Sequence, residues 1–410
     1  MILVKQIFIN KKHKDFKECD RIAYLSKNLY NAALYTIKNH YNLTGDYLNY
    51  FDINRMYIKE NNKDYRNLPT KVSNQTLMLL DRNFKSYFAA LKSYKKNPNK
   101  FKGIPSPPKF KDSKKGRFTT VYEKNAISKT SFKKGVIKLS KTTLEFKTDL
   151  KTINQVTITP YKEGYMLNMV YEKVIPEPII NSNFAGLDIG LNNLASVLTN
   201  NCDSFIINGK PLKSINQYYN KKLSVLKSKL PKRLCDDGET RQLKTSNAIK
   251  RLTTKRNNKI KTYIHRASRL VVDKLVELNV SLLVIGHNKG WKDSINLGKR
   301  TNANFVSIPH SQLIQKIEYK CQLVGITTIV REESYTSKCS FLDNEKIGKH
   351  KTYLGKRIKR GLFRSSNGTI INADSQAAGN ILRKEVPNAF NKAKGIEGIT
   401  VFPTKYTPVY

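Results

Sequence analysis

Carboxylates are scarce in this 410-residue chain: 31 Asp and Glu stand against 75 Lys and Arg, a formal charge of +44. The imbalance runs through nearly the whole length, which excludes an acidic domain with a basic tail. A folded protein with this charge repels itself and needs a polyanion to neutralise it. Nucleic acid fits, because each phosphate contact releases counterions. Cysteine is also rare. Cys19, Cys202, Cys235, Cys321 and Cys339 are scattered and form no CxxC pair, which excludes a disulfide framework. There is no signal-peptide pattern and no apolar run long enough to span a bilayer. No basic amphipathic helix with a large apolar face argues for a membrane surface. The expectation is a cytoplasmic, nucleoid-associated protein of two or three domains with no membrane partner.

Residues 1–10 alternate apolar and polar like a strand. Apolar positions at helical spacing predict helices over 19–41 (Ile22, Leu25, Leu29, Ala33, Ile37) and 74–94 (Leu77, Leu80, Phe84, Phe88, Leu91), the second capped at Ser73 or Asn74. A stretch rich in Pro, Gly and Lys at 95–118 reads as an extended basic loop. Short strand-like runs follow. The expected organisation is a small β-barrel from 1–10 and 95–178, interrupted by a helical insert over 11–94. From Phe184 the pattern turns α/β. Strands lie in FAGLDIGLNNLASVLTN and SFIINGK, followed by a basic helical region over 211–278 and a buried strand at 280–286. A helix then ends at Gly325, a strand covers 326–333 and a helix rich in small residues covers 373–384.

Phosphodiester hydrolysis by two metals gathers carboxylates from several elements around ions about 4 Å apart, and Mg²⁺ wants hard oxygen ligands. Asp188, in Gly186-Leu187-Asp188-Ile189-Gly190, interrupts an apolar strand. That placement is costly unless a cation compensates it; the structural alternative is a turn aspartate. Asp374 opens the last helix, where Asp commonly serves as an N-cap. Ala377, Ala378 and Gly379 let that helix pack closely on a sheet, and Asn380 is placed to support the site. An RNase H-like sheet ordinarily ends its fourth strand in a further acid. Here Leu282-Leu283-Val284-Ile285 runs into Gly286, and His287 suits a hard cation poorly. The next strand ends in Glu332-Glu333. Side chains alternate along a strand, so one of these points inward, and Glu is long enough to reach back across a glycine.

In order and spacing, these motifs are similar to those of the TnpB/OrfB proteins of insertion sequences. Those are transposon-encoded RNA-guided nucleases related to type V CRISPR effectors and to Fanzor proteins. The matches are GLDIG, KRNNKIKTYIHRAS, IGHNKGWK, YKCQLVGI, EESYTSK, NADSQAAGNI and, earlier, SPPKFKDSKKGRF. The resemblance covers nearly the whole chain. It implies a fold of α/β plus β class: an N-terminal wedge β-barrel with a helical recognition insert, then an RNase H-like (RuvC) nuclease domain over 179–410. It also implies Mg²⁺-dependent DNA cleavage, with Mn²⁺ as a substitute ion. The partners are a transposon-derived guide RNA and double-stranded target DNA chosen by base pairing, the protein reading only a short flanking motif. By motif match Asp188 and Asp374 take the first and third acid positions as catalytic, metal-binding residues. Glu333, three residues before Thr336, takes a displaced second position, with Glu332 in reserve. Many relatives carry a four-cysteine zinc ribbon where residues 338–371 stand here. Cys339, Asp343 and His350 make a poor ligand set, so no zinc is expected and the segment reads as a small basic finger.

The cations expected on nucleic acid are Lys109, Lys111 and Arg117 in the 95–118 loop, Arg251, Lys255, Arg256, Lys259 and Arg266 on the basic helix, and Lys289, Lys292 and Lys338. Trp291 and Tyr335 read as core-packing residues before stacking ones. So do most of the 22 tyrosines, although aromatic faces stack well on bases. Two other functions fit part of the pattern. Gly286 would suit a nuclease-inactive, RNA-guided DNA-binding repressor. The charge alone would suit a DNA transposase without a guide, but the His-hydrophobe-His metal motif of tyrosine-dependent strand-joining enzymes is absent.

Overall fold

Alternation at the start of the chain becomes the strand Ile2–Asn10, which pairs antiparallel along its whole length with Gly164–Glu172. The structure, a computed structural model, describes residues 1–234, 240–288, 290, 308–390 and 403–408, and divides after Val174 into two units. In the first unit Gln155–Tyr161 and then Thr120–Glu123 extend the antiparallel sheet. This ladder is open, with Ile2–Asn10 and Thr120–Glu123 at its edges, where the sequence suggested a barrel. Helices cover it together with the small hairpin Val136–Lys138 and Glu145–Lys147, whose Ile137 and Phe146 enter the same core. Phe16–Thr44 and Thr70–Lys96 put Leu29, Leu34, Leu77 and Leu80 into one core with Val156, Ile158 and Leu167 of the sheet. Burying such side chains stabilises by roughly 1.5–3 kcal/mol each, so the apolar stripes dictate where the helices lie.

The second of these helices begins earlier than its expected caps. Ser73 and Asn74 lie inside it and bond Tyr65, through its main-chain oxygen at 2.7 Å and its hydroxyl at 2.6 Å. Two shorter helices, Tyr50–Lys59 and Lys63–Arg66, have too few turns to show in the periodicity; a capping box of Asn49 and Asp52 starts the first.

The second unit is built on a mixed sheet in the spatial order Thr327–Arg331, Leu282–Gly286, Phe184–Asp188, Asn193–Thr199, Ser204–Asn208, Thr404–Tyr406. Phe184–Asp188 and the next two strands in sequence form an antiparallel meander. Leu282–Gly286 and Thr327–Arg331 run parallel to Phe184–Asp188. Parallel neighbours need crossovers, here the helices Asn247–Glu277 and His310–Gln322. Their Ile264, Val271, Leu313 and Ile317 share a core with Leu187, Leu283 and Ile285 of the sheet. The helix Ala373–Glu385 covers the opposite face, with Ala378, Ile381 and Leu382 against Leu198 and Val284. A strand buried on both faces needs no alternation, which is why Leu282–Ile285 is a continuous apolar run.

The basic region over 211–278 is two helices, Lys210–Ser228 and Asn247–Glu277, with the short hairpin Lys232–Leu234 and Thr240–Gln242 between them. Among the described residues no helix is long and apolar enough to cross a membrane.

Candidate active site

Asp188 ends the central strand. A glycine sets how closely the Ala373–Glu385 helix approaches that strand: a Cβ on Gly186 would collide with the carbonyl oxygen of Ala378. Asp374 stands in the first turn of this helix but does not cap it. Asn372 is the N-cap, its Oδ1 accepting from the main-chain N–H groups of Asp374 and Ser375 at 3.0 and 3.2 Å. The Asp374 carboxylate therefore makes other contacts. Asn193 donates to its Oδ2 at 2.6 Å, and Arg357 of the finger lies 3.8 Å from Oδ1.

The third acid comes from an outer strand. Ile285 pairs with Leu187, so Gly286 falls level with Asp188. Gly286 also pairs with Arg331, two residues before Glu333. The two glutamates part at this point. Glu332 is exposed and accepts from Ser334 at 2.6 Å and from Lys384 at 3.3 Å. Glu333 turns back over Gly286. A Cβ on that glycine would lie 3.1 Å from Oε2 of Glu333 and would collide with the side chain of Ile381. A side chain at position 286 would thus have to displace Ile381 and would crowd Glu333. Asn288 holds the glutamate at two points, its Oδ1 accepting from the Glu333 N–H at 3.0 Å and its Nδ2 donating to Oε1 at 3.4 Å. Oε2 of Glu333 is buried without a hydrogen-bond partner among the described residues. Gln376 and Asn380, both fully buried, donate to the main-chain oxygens of Thr336 and Cys339. Asn380 therefore braces the turn that follows Glu333, not an acid directly.

Burial and its neighbouring carboxylates make Asp188 harder to ionise. Asp188 keeps some accessible surface, yet protein packs so densely around it that burial is the largest cause pushing its carboxyl up to about 8. The charges of Asp374 and then Glu333 add to this, while Arg357 and the N–H of Ile189 oppose it. Burial also raises the Glu333 carboxyl, with Glu332 adding to the effect and Lys384 opposing it. By donor chemistry such a set fits a hard divalent cation: all oxygen, poor in partners, and with one buried oxygen unused. Among the described residues, no three His, Cys, Asp or Glu side chains are grouped tightly enough to hold an ion as they stand. The acids are a loose set, not a closed cage.

The cations predicted to bind nucleic acid separate by environment. Lys109, Arg251, Lys255, Lys259, Arg266 and Lys338 are exposed. Arg117 is engaged within its own unit. Its Nε and Nη2 donate to Asp20 at 2.9 and 2.8 Å, and Nη1 donates to the main-chain oxygens of Lys114 and Gly116. Arg256 donates twice to Oδ1 of Asn216, at 2.8 and 2.7 Å, and Lys111 lies over the rings of Tyr30 and Phe118. A guanidinium whose donors are used internally has few left for a phosphate. Lys289, Lys292 and Trp291 lie outside the described residues. Tyr335 is at the surface, 36% exposed with φ of 64°, where its sequence suggested core packing.

In the finger, Cys339, Asp343 and His350 do not converge. The Cys339 sulfur contacts the main chain of Gly348, Asp343 accepts from the N–H and hydroxyl of Ser366, and His350 Nε2 lies 2.6 Å from the Lys346 oxygen. Asn193, Asn288 and Arg357 are site residues without a strong sequence signal. The nearest to one is the amide of Asn288, two positions beyond a strand end that lacks its acid.

Two protein-family models match parts of this chain. A family model described as a probable transposase, OrfB_IS605, matches residues 168–292. A model for the Cas12f1-like TNB domain matches residues 310–381. The TnpB-like protein ORF457 of Acidianus two-tailed virus is 25% identical over 228 residues, 55% of this chain and 47% of that protein. The match thus spans about half the length of that relative. Among solved structures, a Cas12f1–sgRNA–target DNA complex aligns with a TM-score of 0.39 at 17% identity, covering 93% of this chain and 100% of that one. The mini-RNA-guided endonuclease CRISPR-Cas_phi3 aligns with a TM-score of 0.43 at 10% identity, covering 93% and 92%.

Proposed function

We propose that this chain, a member of the TnpB/OrfB family, is an RNA-guided, Mg²⁺-dependent DNA endonuclease with an RNase H-like core. One observation carries the reading: Glu333 folds back over Gly286 to join Asp188 and Asp374 at the end of the central strand, with an oxygen still unpartnered. The strand order, a three-strand antiparallel meander continued by two parallel strands beside its first member, supports an RNase H-like core. The missing acid at 286 motivates the repressor alternative; the place of Glu333 beside Gly286 supports the nuclease reading over it.

Asp188, Glu333 and Asp374 would hold the divalent ions. When bound, such ions stabilise charge on the scissile phosphate and make a water nucleophilic near neutral pH. The protein's own contribution is positional. Asn193 orients Asp374, Asn288 orients Glu333, and the Gly186 contact sets the distance between strand and helix. Without an ion, burial and the neighbouring carboxylates push the Asp188 carboxyl up to about 8, which limits the like charge the three acids carry together. Arg357, beside Asp374, is a counter-charge that an incoming phosphate would share. Guide RNA and target DNA would bind through the exposed cations of both units.

The test is to purify the protein with the RNA that accompanies it and assay plasmid cleavage with and without Mg²⁺. Cleavage is expected only with Mg²⁺, at sites matching one defined RNA species. Target binding without cutting would establish the repressor. Absence of any defined RNA would sink the guided reading.

A further inference from the structure

Helical periodicity places Ile215, Tyr218, Tyr219 and Lys222 on one stripe of Lys210–Ser228, and Leu252, Lys255, Arg256 and Lys259 on one stripe of Asn247–Glu277. Where these helices meet there is a cavity of about 270 Å³. Seams between packed helices ordinarily close with apolar side chains. This one is lined by three cations and no carboxylate. Its inner wall is fixed. The Tyr219 hydroxyl lies 3.1 Å from Oγ1 of Thr253. Arg256 stands 5.5 Å over the Tyr219 ring while bonded to Asn216, which is 1% exposed. The outer wall is open: Tyr218 is 60% exposed, with Lys222 Nζ 6.0 Å over its ring.

An exposed aromatic face beside cations suits a planar base carrying a phosphate. The volume falls just below the roughly 300–1,000 Å³ of small-molecule pockets, room for one base but not a pair. Arg251, Lys255 and Lys259, all exposed, follow one another at four-residue spacing along the helix. That row is longer than one phosphate needs and matches a continuing backbone.

We infer that this seam takes a single unpaired nucleotide of a bound strand, its base stacked on Tyr218 and its phosphate between Lys255 and Lys259. The inference rests on the reading of the chain as a nucleic-acid enzyme and assigns a subsite remote in sequence from the acids.

The test uses the full-length protein and a short single-stranded DNA containing one fluorescent purine analogue, whose emission falls on stacking. Wild type should quench it. Tyr218→Ala should lose the quench and bind about 5- to 150-fold more weakly, with its melting midpoint intact, whereas Tyr218→Phe keeps both quench and affinity. Replacing Lys255 and Lys259 together with Ala should reduce the slope of log affinity against log salt by about 1.4. Unchanged quench and affinity in Tyr218→Ala would overturn the subsite, as would quenching of the free nucleoside monophosphate but not of the strand. Protein that quenches but never cuts plasmid would overturn the nuclease reading alone. Protein that cuts, but quenches equally well as Tyr218→Ala, would overturn the subsite alone.

Discussion

The acids at the sheet end and the acids of the finger are both drawn out of water, with opposite consequences. Glu345 is only 7% exposed, yet its two oxygens accept from the N–H groups of Ser340 and Leu354 at 2.5 and 3.1 Å. Burial pushes the Asp343 carboxyl up, but hydrogen bonds from Ser340 and Ser366 outweigh it and hold the group below its ordinary value. Asp188 and Glu333 go the other way, raised by burial and by neighbouring carboxylates. Burial alone therefore does not mark a functional acid. What marks it is burial without enough donors, which leaves capacity for a cation. The finger shows the converse: its carboxylates, bonded to main-chain N–H groups, tie its turns together.

The comparison breaks if the two sets exchange behaviour on mutation. The largest effect is expected at the sheet end. Asp188→Ala, Glu333→Ala and Asp374→Ala should each lower plasmid cleavage on the order of 10³-fold. Glu332→Ala, an exposed change, should stay within about twofold of wild type. Wild-type cutting by Glu333→Ala together with loss in Glu332→Ala would reverse the assignment.

In the finger, Glu345→Ala strands two main-chain donors at about 1–3 kcal/mol. At roughly 2–4 °C per kcal/mol for a unit of this size, the melting midpoint should fall by several degrees while cleavage at low temperature persists. An intact midpoint with lost cleavage would move Glu345 into the catalytic set.

An effect of opposite sign is expected for Asp188→Asn in ion-free protein. The folded state holds a proton on Asp188 between the unfolded value, about 4, and about 8. Stability from this group is therefore lost as pH rises through that window. The amide removes the loss, so the variant should melt higher than wild type, most at the alkaline end and least near pH ~4. A gain that does not change with pH would show that burial is not its source.

The smallest effect on folding is expected from chelation. It should abolish cleavage and leave the melting of the finger unchanged; cooperative unfolding of residues 338–371 on chelation would restore zinc to this segment.

Much of the architecture was legible from periodicity. Helices over 19–41 and 74–94 and the buried run at 282–285 follow from spacing alone, because a stripe or a continuous apolar run states which surfaces must leave water. Asp188 was legible for a related reason, as a charge inside an apolar strand. Closure of the first sheet was not. Strand propensity does not say which strands will join one ladder, and here Val136–Lys138 and Glu145–Lys147 pair with each other instead of extending the four-stranded sheet. The arginines show the same limit. Arg117 and Arg256 look like any other basic residue until Asp20, 97 positions away, and Asn216, 40 positions away, are found holding them.

The sequence by itself determined that the chain carries a large positive charge, that its second unit is α/β, and that two acids lie at the end of a strand and the start of a helix. These are properties of composition and of patterns a few residues long. Tertiary structure alone decided which glutamate turns back beside Gly286, that Asn372 and not Asp374 caps the last helix in this setting, and which amides hold the carboxylates. The physical reason is range. Alternation and capping act within about four residues. The partners that set a carboxylate's charge and direction lie 45 positions away for Glu333 and 181 for Asp374, and are brought there only when the parallel strands and the closing helix pack around Gly186 and Gly286.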